Sequence, residues 1–198
     1  MEGTAGYNFY DATQPLAILT GNLPHWRQQG VTYFVTFRLA DSLPRSKLRQ
    51  WLEERALWLA SHAEPLTIEE KSEFWERFPA RFHRWLDASY GSCILRRSDA
   101  KQVVEAALAH FHGSRYRLGE HTVMPNHVHA VIAPLADRTL SGILHTWKSY
   151  TAKEINRKLN WSGTLWQKES FDHIVRSPEQ LERINQYIRD NPRGGKAK

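Results

Sequence analysis

The chain has 198 residues, of which 41% are hydrophobic and 12% aromatic, and this is enough to bury the core of one domain. Its single cysteine excludes an internal disulfide and any zinc site built from several cysteines. Because the chain has no apolar run of about 20 residues and no secretory signal pattern at its start, we expect a cytoplasmic protein that does not enter a membrane.

The formal net charge of +6 is distributed unevenly. Residues 141–198 hold eleven Lys and Arg against six Asp and Glu, and Trp147, Tyr150, Trp161 and Trp166 lie among these cations. Cations bind phosphates and aromatic faces stack on unpaired bases, so this part of the chain favours a nucleic-acid partner. The alternative is an ordinary solvated basic surface.

The first half of the chain combines one strand with a helical segment. Residues 1–30 carry no periodic pattern and are expected to form an irregular lead-in. The β-branched and aromatic residues of Val31–Leu39 predict a strand. Apolar residues then recur at helical spacing, and Thr67 with Glu70 forms a capping-box pattern. We therefore predict a helical, Trp-rich insertion at about 45–90.

The second half predicts two strands between helices. A helix is expected to begin at a Ser98 cap, followed by the strands YRLGEHTV and HVHAVIAP around the turn MPN. Residues Leu140–Leu159 have the spacing of an amphipathic helix. The segment SFDHIVR predicts a last strand, and Ser177 with Gln180 forms a capping box that opens a final helix.

This order of elements predicts the fold class. Strand, helices, strand, strand, helix, strand and helix suit an α+β protein with an antiparallel sheet. The simplest compact arrangement is the ferredoxin-like, split βαβ sheet with helices on one face, to which the helical insertion is added.

The segment VMPNHVHAVI places two histidines on one side of a strand. Side chains alternate between the two faces, so Val128, Ala130 and Ile132 would face the core while His127 and His129 project together from the other face. Imidazole is a common metal ligand, so the pair is a candidate metal site. Two histidines without a ligand on a solvated strand face are the alternative.

The final helix carries a tyrosine beside its apolar stripe. Leu181, Ile184 and Ile188 form the stripe, Tyr187 lies at its edge, and Asn191 follows one helical turn later on the same side. A tyrosine in this position is usually a packing residue, so the helix alone does not establish a catalytic role.

Four motifs in a fixed order resemble one family. MPNHVH, WKSYTAKEINR, GTLWQKESFDHIVR and YIRDNP together resemble the REP-associated tyrosine transposases, which belong to the HUH single-tyrosine transposase superfamily and have an IS200-like transposase domain. The resemblance covers about Val31–Pro192 and is most specific from Met124 onward. It implies that residues 1–198 are one HUH tyrosine transposase domain with the insertion at about 45–90.

The resemblance implies a catalytic mechanism. Two histidines of the family hold a divalent metal and a tyrosine of a late helix is the nucleophile, which assigns His127 and His129 to the metal and Tyr187 to catalysis. Asn191 takes the place of a third metal ligand, and the ion would be Mg²⁺ or Mn²⁺. The implied activity is that of a single-strand DNA endonuclease and strand transferase that cleaves hairpin-forming repeat DNA through a 5′-phosphotyrosine. Tyr150 is the rival nucleophile.

The implied partners are single-stranded DNA hairpins of REP-like repeats. The protein is expected to act as a monomer or homodimer in the bacterial cytoplasm, associated with the nucleoid. His173 matches a family pattern beside the active site. Candidate DNA-binding residues are Lys148, Lys153, Arg157, Trp166 and Arg176. Relatives commonly continue with an apolar, aromatic segment where this chain has NPRGGKAK, and the insertion is a candidate to cover the site instead.

Two other functions stay open. A domesticated hairpin-binding protein that is catalytically weak would bind DNA in a salt-sensitive way without forming a covalent adduct. A metal-dependent phosphodiesterase of small nucleotides would cut without retaining DNA and would tolerate Tyr187→Phe.

Overall fold

The structure is a computed structural model that describes residues 6–19, 25–63 and 65–194. No helix in these ranges combines the length and the apolar character needed to cross a membrane. In chain order the elements are β1 (Ala17–Leu19), β2 (His25–Arg27), β3 (Tyr33–Arg38), α1 (Arg45–Ser61), α2 (Ile68–Trp75), a π-helical turn (Glu76–Ala80), α3 (Arg81–Asp87), a 3₁₀ turn (Ile94–Arg96), α4 (Ser98–His110), β4 (Tyr116–Val123), β5 (His127–Pro134), α5 (Leu140–Leu159), β6 (Phe171–Ile174) and α6 (Pro178–Gly194).

Four strands form the predicted sheet. Their order is β4-β5-β3-β6, and each neighbouring pair is antiparallel. Helix α4 connects β3 to β4, and α5 connects β5 to β6, so each helix bridges two strands that have another strand between them. This is the split βαβ arrangement, and the α+β, ferredoxin-like prediction is confirmed.

The two sides of the sheet are built from alternate residues. Tyr33, Val35 and Phe37 pack in the main core, which α4 and α5 cover; this side is called the helix face. The other side, which carries Phe34, Thr36, Arg38, His127 and His129, is called the site face. One detail differs from the prediction of helices on one face. Helix α6 packs on the site face, because its apolar residues Leu181, Ile184 and Ile188 join Phe34 and Val131 in a second cluster.

The segment at about 45–90 is helical, as predicted, and has its own apolar cluster; it is called the insertion below. Its buried members are Leu43, Trp51, Trp58, Phe78, Phe82 and Leu86. The capping box at the start of α2 is formed, since Glu70 N donates to Thr67 Oγ1 at 3.1 Å and Thr67 N donates to Glu70 Oε2 at 2.7 Å. Helix α3 then leads back to the sheet.

Two local predictions are wrong. The lead-in is not wholly irregular, because β1 pairs with β2 in antiparallel register. The β2 residues His25 and Arg27 bind the buried Asp172 carboxylate, and the His25 Nδ1 to Asp172 Oδ2 distance is 2.8 Å. Ser98 is the first residue of α4 rather than its cap, and Arg97 precedes the helix without a side-chain cap.

Candidate active site

The two histidines of β5 converge on one point. Both side chains are fully buried, and the His127 Nε2 and His129 Nε2 atoms are 2.9 Å apart. The strand produces this pairing because residues two positions apart point to the same face. The two Nε2 atoms are therefore close enough to share one ion.

Neighbouring polar groups fix the orientation of these rings. The Asn126 Nδ2 atom donates to the Tyr90 carbonyl at 2.9 Å, so its Oδ1 atom faces His127 Nδ1 at 2.8 Å and accepts a hydrogen bond. His127 therefore carries its proton on Nδ1 and presents a lone pair at Nε2. His129 Nδ1 contacts Thr36 Oγ1 at 2.7 Å. Contacts of this kind orient the histidine ligands of metal sites.

Burial keeps both rings neutral. It lowers the pKa of His127 to about 3, with a smaller contribution from the nearby His83, and it lowers the pKa of His129 well below its usual value. Neutral imidazole is the form that binds metals, so the pair is ready to accept a cation near neutral pH.

Helix α6 brings the predicted nucleophile to the histidine pair. The Tyr187 hydroxyl lies 3.3 Å from His129 Nε2, and the tyrosine ring meets the Phe34 ring edge-on with centroids 6.2 Å apart. Burial raises the pKa of Tyr187, and the Asp87 carboxylate raises it further. The rival Tyr150 is 54% exposed on α5, on the helix-face side of the sheet.

The predicted third ligand also lies in this region. Asn191 is buried on α6, and its Nδ2 atom has no hydrogen-bond partner. Asn191 is near enough to Asp87 and Tyr187 to lower the pKa of both groups, although these effects are smaller than those of burial.

Sequence reasoning missed two residues that α3 adds to the site. The Asp87 Oδ1 atom is 3.6 Å from His127 Nε2. The His83 ring centroid is 5.5 Å from that of His129 and 6.1 Å from that of Tyr187, and neither His83 nitrogen makes a hydrogen bond. Burial lowers the pKa of His83 to about 4 and raises that of Asp87 to about 6. Their spacing of four residues, which places both on one helical side, was the available signal.

The donor set at this point suits a divalent cation. It consists of two neutral imidazole nitrogens, a carboxylate oxygen that is buried without a hydrogen bond, and a buried amide. Imidazole and oxygen donors together suit Mn²⁺, while Mg²⁺ favours the oxygens. A divalent ion would also give the Asp87 oxygen the partner that it lacks.

Two of the predicted DNA-binding residues have structural roles. Lys148 Nζ donates to the carbonyl oxygens of Gln167 and Lys168, both at 3.1 Å, and burial lowers its pKa to about 8. Trp166 is 5% exposed, and its Nε1 atom donates to Thr151 Oγ1 at 2.8 Å. Most of its ring therefore packs in the core, and the small part that is exposed lines the groove described below.

The other predicted DNA-binding residues are exposed. Lys153 and Arg157 lie on the outer side of α5, where Arg157 pairs with Glu154 at 2.9 Å. The Arg176 guanidinium lies 5.6 Å from the centroid of the Trp26 ring. His173 is on the site face beside Phe34, with ring centroids 5.4 Å apart, and burial lowers its pKa to about 4.

A basic groove runs along the edge of the sheet near β6. It has a volume of about 530 Å³ and lies between α5, the 163–170 segment and β2. Its lining includes the basic residues His25, Arg27, His145, Lys148 and Lys168 and the acidic residues Glu169 and Asp172, of which Asp172 pairs with His25 and Arg27. Gln167 and Glu169 line both this groove and a smaller cavity beside Thr36 and Arg38, so the two cavities are neighbours.

Two solved structures align with this chain. A REP-associated tyrosine transposase bound to a REP hairpin aligns with a TM-score of 0.53 and 15% identity, over 87% of this chain and 73% of that one. A protein from Deinococcus radiodurans R1 that is described as a transposase candidate aligns over 83% and 93% of the two chains with 14% identity and a TM-score of 0.33. No curated protein sequence matches the chain significantly. The sequence model of IS200-like transposases matches residues 79–191, which is more than half of the chain. The chain therefore belongs to the IS200-like transposase family.

Proposed function

We propose that this transposase cleaves and rejoins single-stranded DNA at hairpin-forming repeats, through a 5′-phosphotyrosine formed by Tyr187. The observation that carries the proposal is the 3.3 Å distance between the Tyr187 hydroxyl and His129 Nε2. It supports an active site assembled within one chain, with residues 1–198 acting as one HUH tyrosine transposase domain.

The chemistry follows from the groups around Tyr187. His127, His129 and Asn191 would hold Mg²⁺ or Mn²⁺, and such an ion supplies Lewis-acid stabilisation of charge on the scissile phosphate. The Tyr187 oxygen forms a bond to phosphorus while the bond to the 3′ oxygen breaks, which leaves a free 3′-hydroxyl and a 5′-phosphotyrosine. A second 3′-hydroxyl reverses this step and joins two strands without ATP.

The basic surfaces are the proposed path of the DNA. Arg38 is a buried cation on the site face, paired in register with His127, and its Nη1 atom donates to Ser42 Oγ at 3.0 Å. The groove with Lys148 and Lys168 continues from there along the sheet edge. Positive groups in a groove attract a single strand through its phosphates. The hairpin bound by the similarly folded REP-associated transposase is the reason to choose a hairpin as the test substrate.

The test mixes the full chain with a single-stranded hairpin oligonucleotide and Mn²⁺ or Mg²⁺. We expect a covalent protein–DNA species that survives denaturing electrophoresis and disappears when the metal is chelated. It should be absent with Tyr187→Phe and present with Tyr150→Phe, which removes the same hydroxyl from an exposed position. Mixing Tyr187→Phe with His127→Ala should not restore it, because both residues serve one site in the same chain.

Other results would replace the proposal. Salt-sensitive binding without any adduct would identify a hairpin-binding protein that has lost turnover. Cleavage that survives Tyr187→Phe and leaves no DNA attached would identify a metal-dependent phosphodiesterase. An adduct that depends on Tyr150 would reverse the assignment of the nucleophile.

A further inference from the structure

Hydrogen bonds connect the C-terminal end of the helical insertion to the start of β5, the strand that carries His127 and His129. Helix α3 ends at Asp87, with Leu86 buried in the apolar cluster of the insertion. Three residues later, the Tyr90 carbonyl accepts from Asn126 Nδ2, and Asn126 Oδ1 accepts from His127 Nδ1. The insertion therefore reaches His127 from both sides of its ring, through Asn126 at Nδ1 and through Asp87 at Nε2.

The contact between Asp87 and His127 joins two acceptors. His127 carries its proton on Nδ1, so the lone pair on its Nε2 atom faces both His129 Nε2 at 2.9 Å and the Asp87 Oδ1 atom at 3.6 Å. That oxygen is buried and has no hydrogen-bond donor. Two lone pairs that face each other in a buried place repel unless a cation lies between them.

Asp87 completes a compact set of ligand atoms. One atom each from Asp87, His127 and His129 can be chosen so that all lie within 4.8 Å of one another. Across the ranges that the structure describes, no other group of three His, Cys, Asp or Glu side chains is this compact. Ions with four or six ligands bind nitrogen and oxygen atoms at about 2.0–2.2 Å. Two ligand atoms of one ion are therefore at most about twice that distance apart, which is close to the limit of 4.8 Å for these three atoms.

We propose that the helical insertion supplies Asp87 as a further protein side chain that binds the metal, in addition to the two histidines and Asn191. The inference rests on the proposed function for the presence of the ion, and it adds a ligand from α3, a helix in which the sequence predicted no site residue. A carboxylate leaves one positive charge on a divalent ion held by neutral imidazoles and an amide, which still attracts the scissile phosphate. It also provides the anionic oxygen that Mg²⁺ favours.

The test measures Mn²⁺ binding to the full chain without DNA by titration calorimetry. Asp87→Asn preserves the shape of the side chain and removes its charge, and we expect at least about tenfold weaker binding, the scale at which metal sites respond to altered ligand environments. The relaxation rate of water protons on bound Mn²⁺ should also change, since water replaces the lost ligand. The matched control is Asp190→Asn, which removes the same charge from an exposed α6 residue that bonds to Gln186, and it should bind Mn²⁺ like the unmodified chain.

A second variant tests the ligand role by its chemistry. Asp87→Cys places a soft thiolate at the same position, so Cd²⁺ binding should strengthen relative to Mn²⁺ binding. A thiolate-to-metal absorption band should appear with Cd²⁺ in this variant and not in the parent, whose one cysteine, Cys93, is buried elsewhere. A residue with only a structural role would not exchange metal preference in this way. Thermal melting without metal establishes that each variant is folded before titration.

The outcomes separate this inference from the proposed function. If Asp87→Asn binds Mn²⁺ within about twofold of the parent while His127→Ala and His129→Ala lose it, Asp87 is not a ligand and the histidine site stands. If Asp87→Asn loses the covalent adduct without losing Mn²⁺, the ligand role also fails. If neither histidine variant weakens Mn²⁺ binding, the metal site of the proposed function itself is refuted.

Discussion

The helix face and the site face of the sheet come from the same strands but bury different kinds of polar group. On the helix face, the buried indoles of Trp147 and Trp166 donate to Tyr116 Oη at 2.9 Å and to Thr151 Oγ1 at 2.8 Å. On the site face, both nitrogens of His83 lack hydrogen bonds, and so does the Asp87 Oδ1 atom. Alternation along the strands allows one sheet to carry both environments.

The helix face and the site face therefore contribute differently to the stability of the fold and to the function of the site. A buried polar group with a partner costs little, whereas one without a partner keeps its full desolvation penalty of about 1–3 kcal/mol. The helix face holds the main apolar core, and the site face holds the unpartnered groups of His83 and Asp87, which under the proposed function would be satisfied by a cation or a phosphate. Perturbed histidines and carboxylates that cluster in one place are typical of functional sites.

The largest expected effect is unfolding in mild acid. Burial holds the pKa of His127 at about 3 and those of His83 and His173 at about 4, against 6.5 when exposed, and His129 is lowered as well. The unfolded chain therefore takes up these protons first, and stability falls as the pH drops from about 6.5 towards 4. His127, His83 and His173 each contribute up to about 3 kcal/mol by pH 4, and their sum of roughly 9 kcal/mol is comparable with the usual 5–15 kcal/mol for a whole protein.

Urea unfolding of the metal-free protein at several pH values measures this loss. The raised pKa of Asp87 acts in the opposite direction between about pH 6 and 4, but it is one group against four. A buffer series should show a steep decline in the free energy of unfolding below pH 6.5. A free energy that stays level down to pH 4 would mean that the four imidazoles are not buried as neutral groups.

The face on which a strand residue lies could be predicted from the sequence, but the contacts between residues that are distant in sequence could not. Alternation in HVHAVI was enough to place His127 and His129 together on the side away from the core. Asp87 ends an amphipathic helix, where an acidic residue normally faces solvent, and only the docking of the insertion brings it to His127. Trp166 lies among cations in sequence, and local pattern does not distinguish a buried indole from an exposed one.

The two short strands β1 and β2 were not predicted from the sequence for a related reason. Strands β1 and β2 have three residues each, which is too short for a period of two to be visible. Their role depends on Asp172, about 145 residues later, whose carboxylate binds His25 and Arg27. Burial alone would raise the pKa of Asp172, but these two partners outweigh it and hold the pKa below its usual value.

A substitution at His83 is expected to have an intermediate effect on the free energy of unfolding. Replacing His83 with Leu, which is similar in size, removes two buried nitrogens without partners, and we expect the metal-free protein to gain about 1–3 kcal/mol in its free energy of unfolding near pH 7. Urea denaturation measures the gain, and the acid decline should become shallower by about one proton. His110→Leu, at an exposed position of α4, is the control and should stay within about 0.5 kcal/mol. A loss of stability in His83→Leu would mean that His83 has a partner in solution.

The smallest expected effect comes from Trp166 on the helix face. Trp166→Phe keeps an aromatic ring against Phe37, whose centroid is 4.9 Å away, but removes the donor to Thr151 Oγ1. The Thr151 hydroxyl also donates to the Trp147 carbonyl at 2.7 Å, so it keeps a partner, and we expect a loss of about 1 kcal/mol in urea denaturation. Affinity for a hairpin oligonucleotide, measured by fluorescence anisotropy, should not change, because the indole is inside the core. If DNA affinity fell while stability held, Trp166 would belong to the DNA interface, and the helix face would no longer be a purely structural surface.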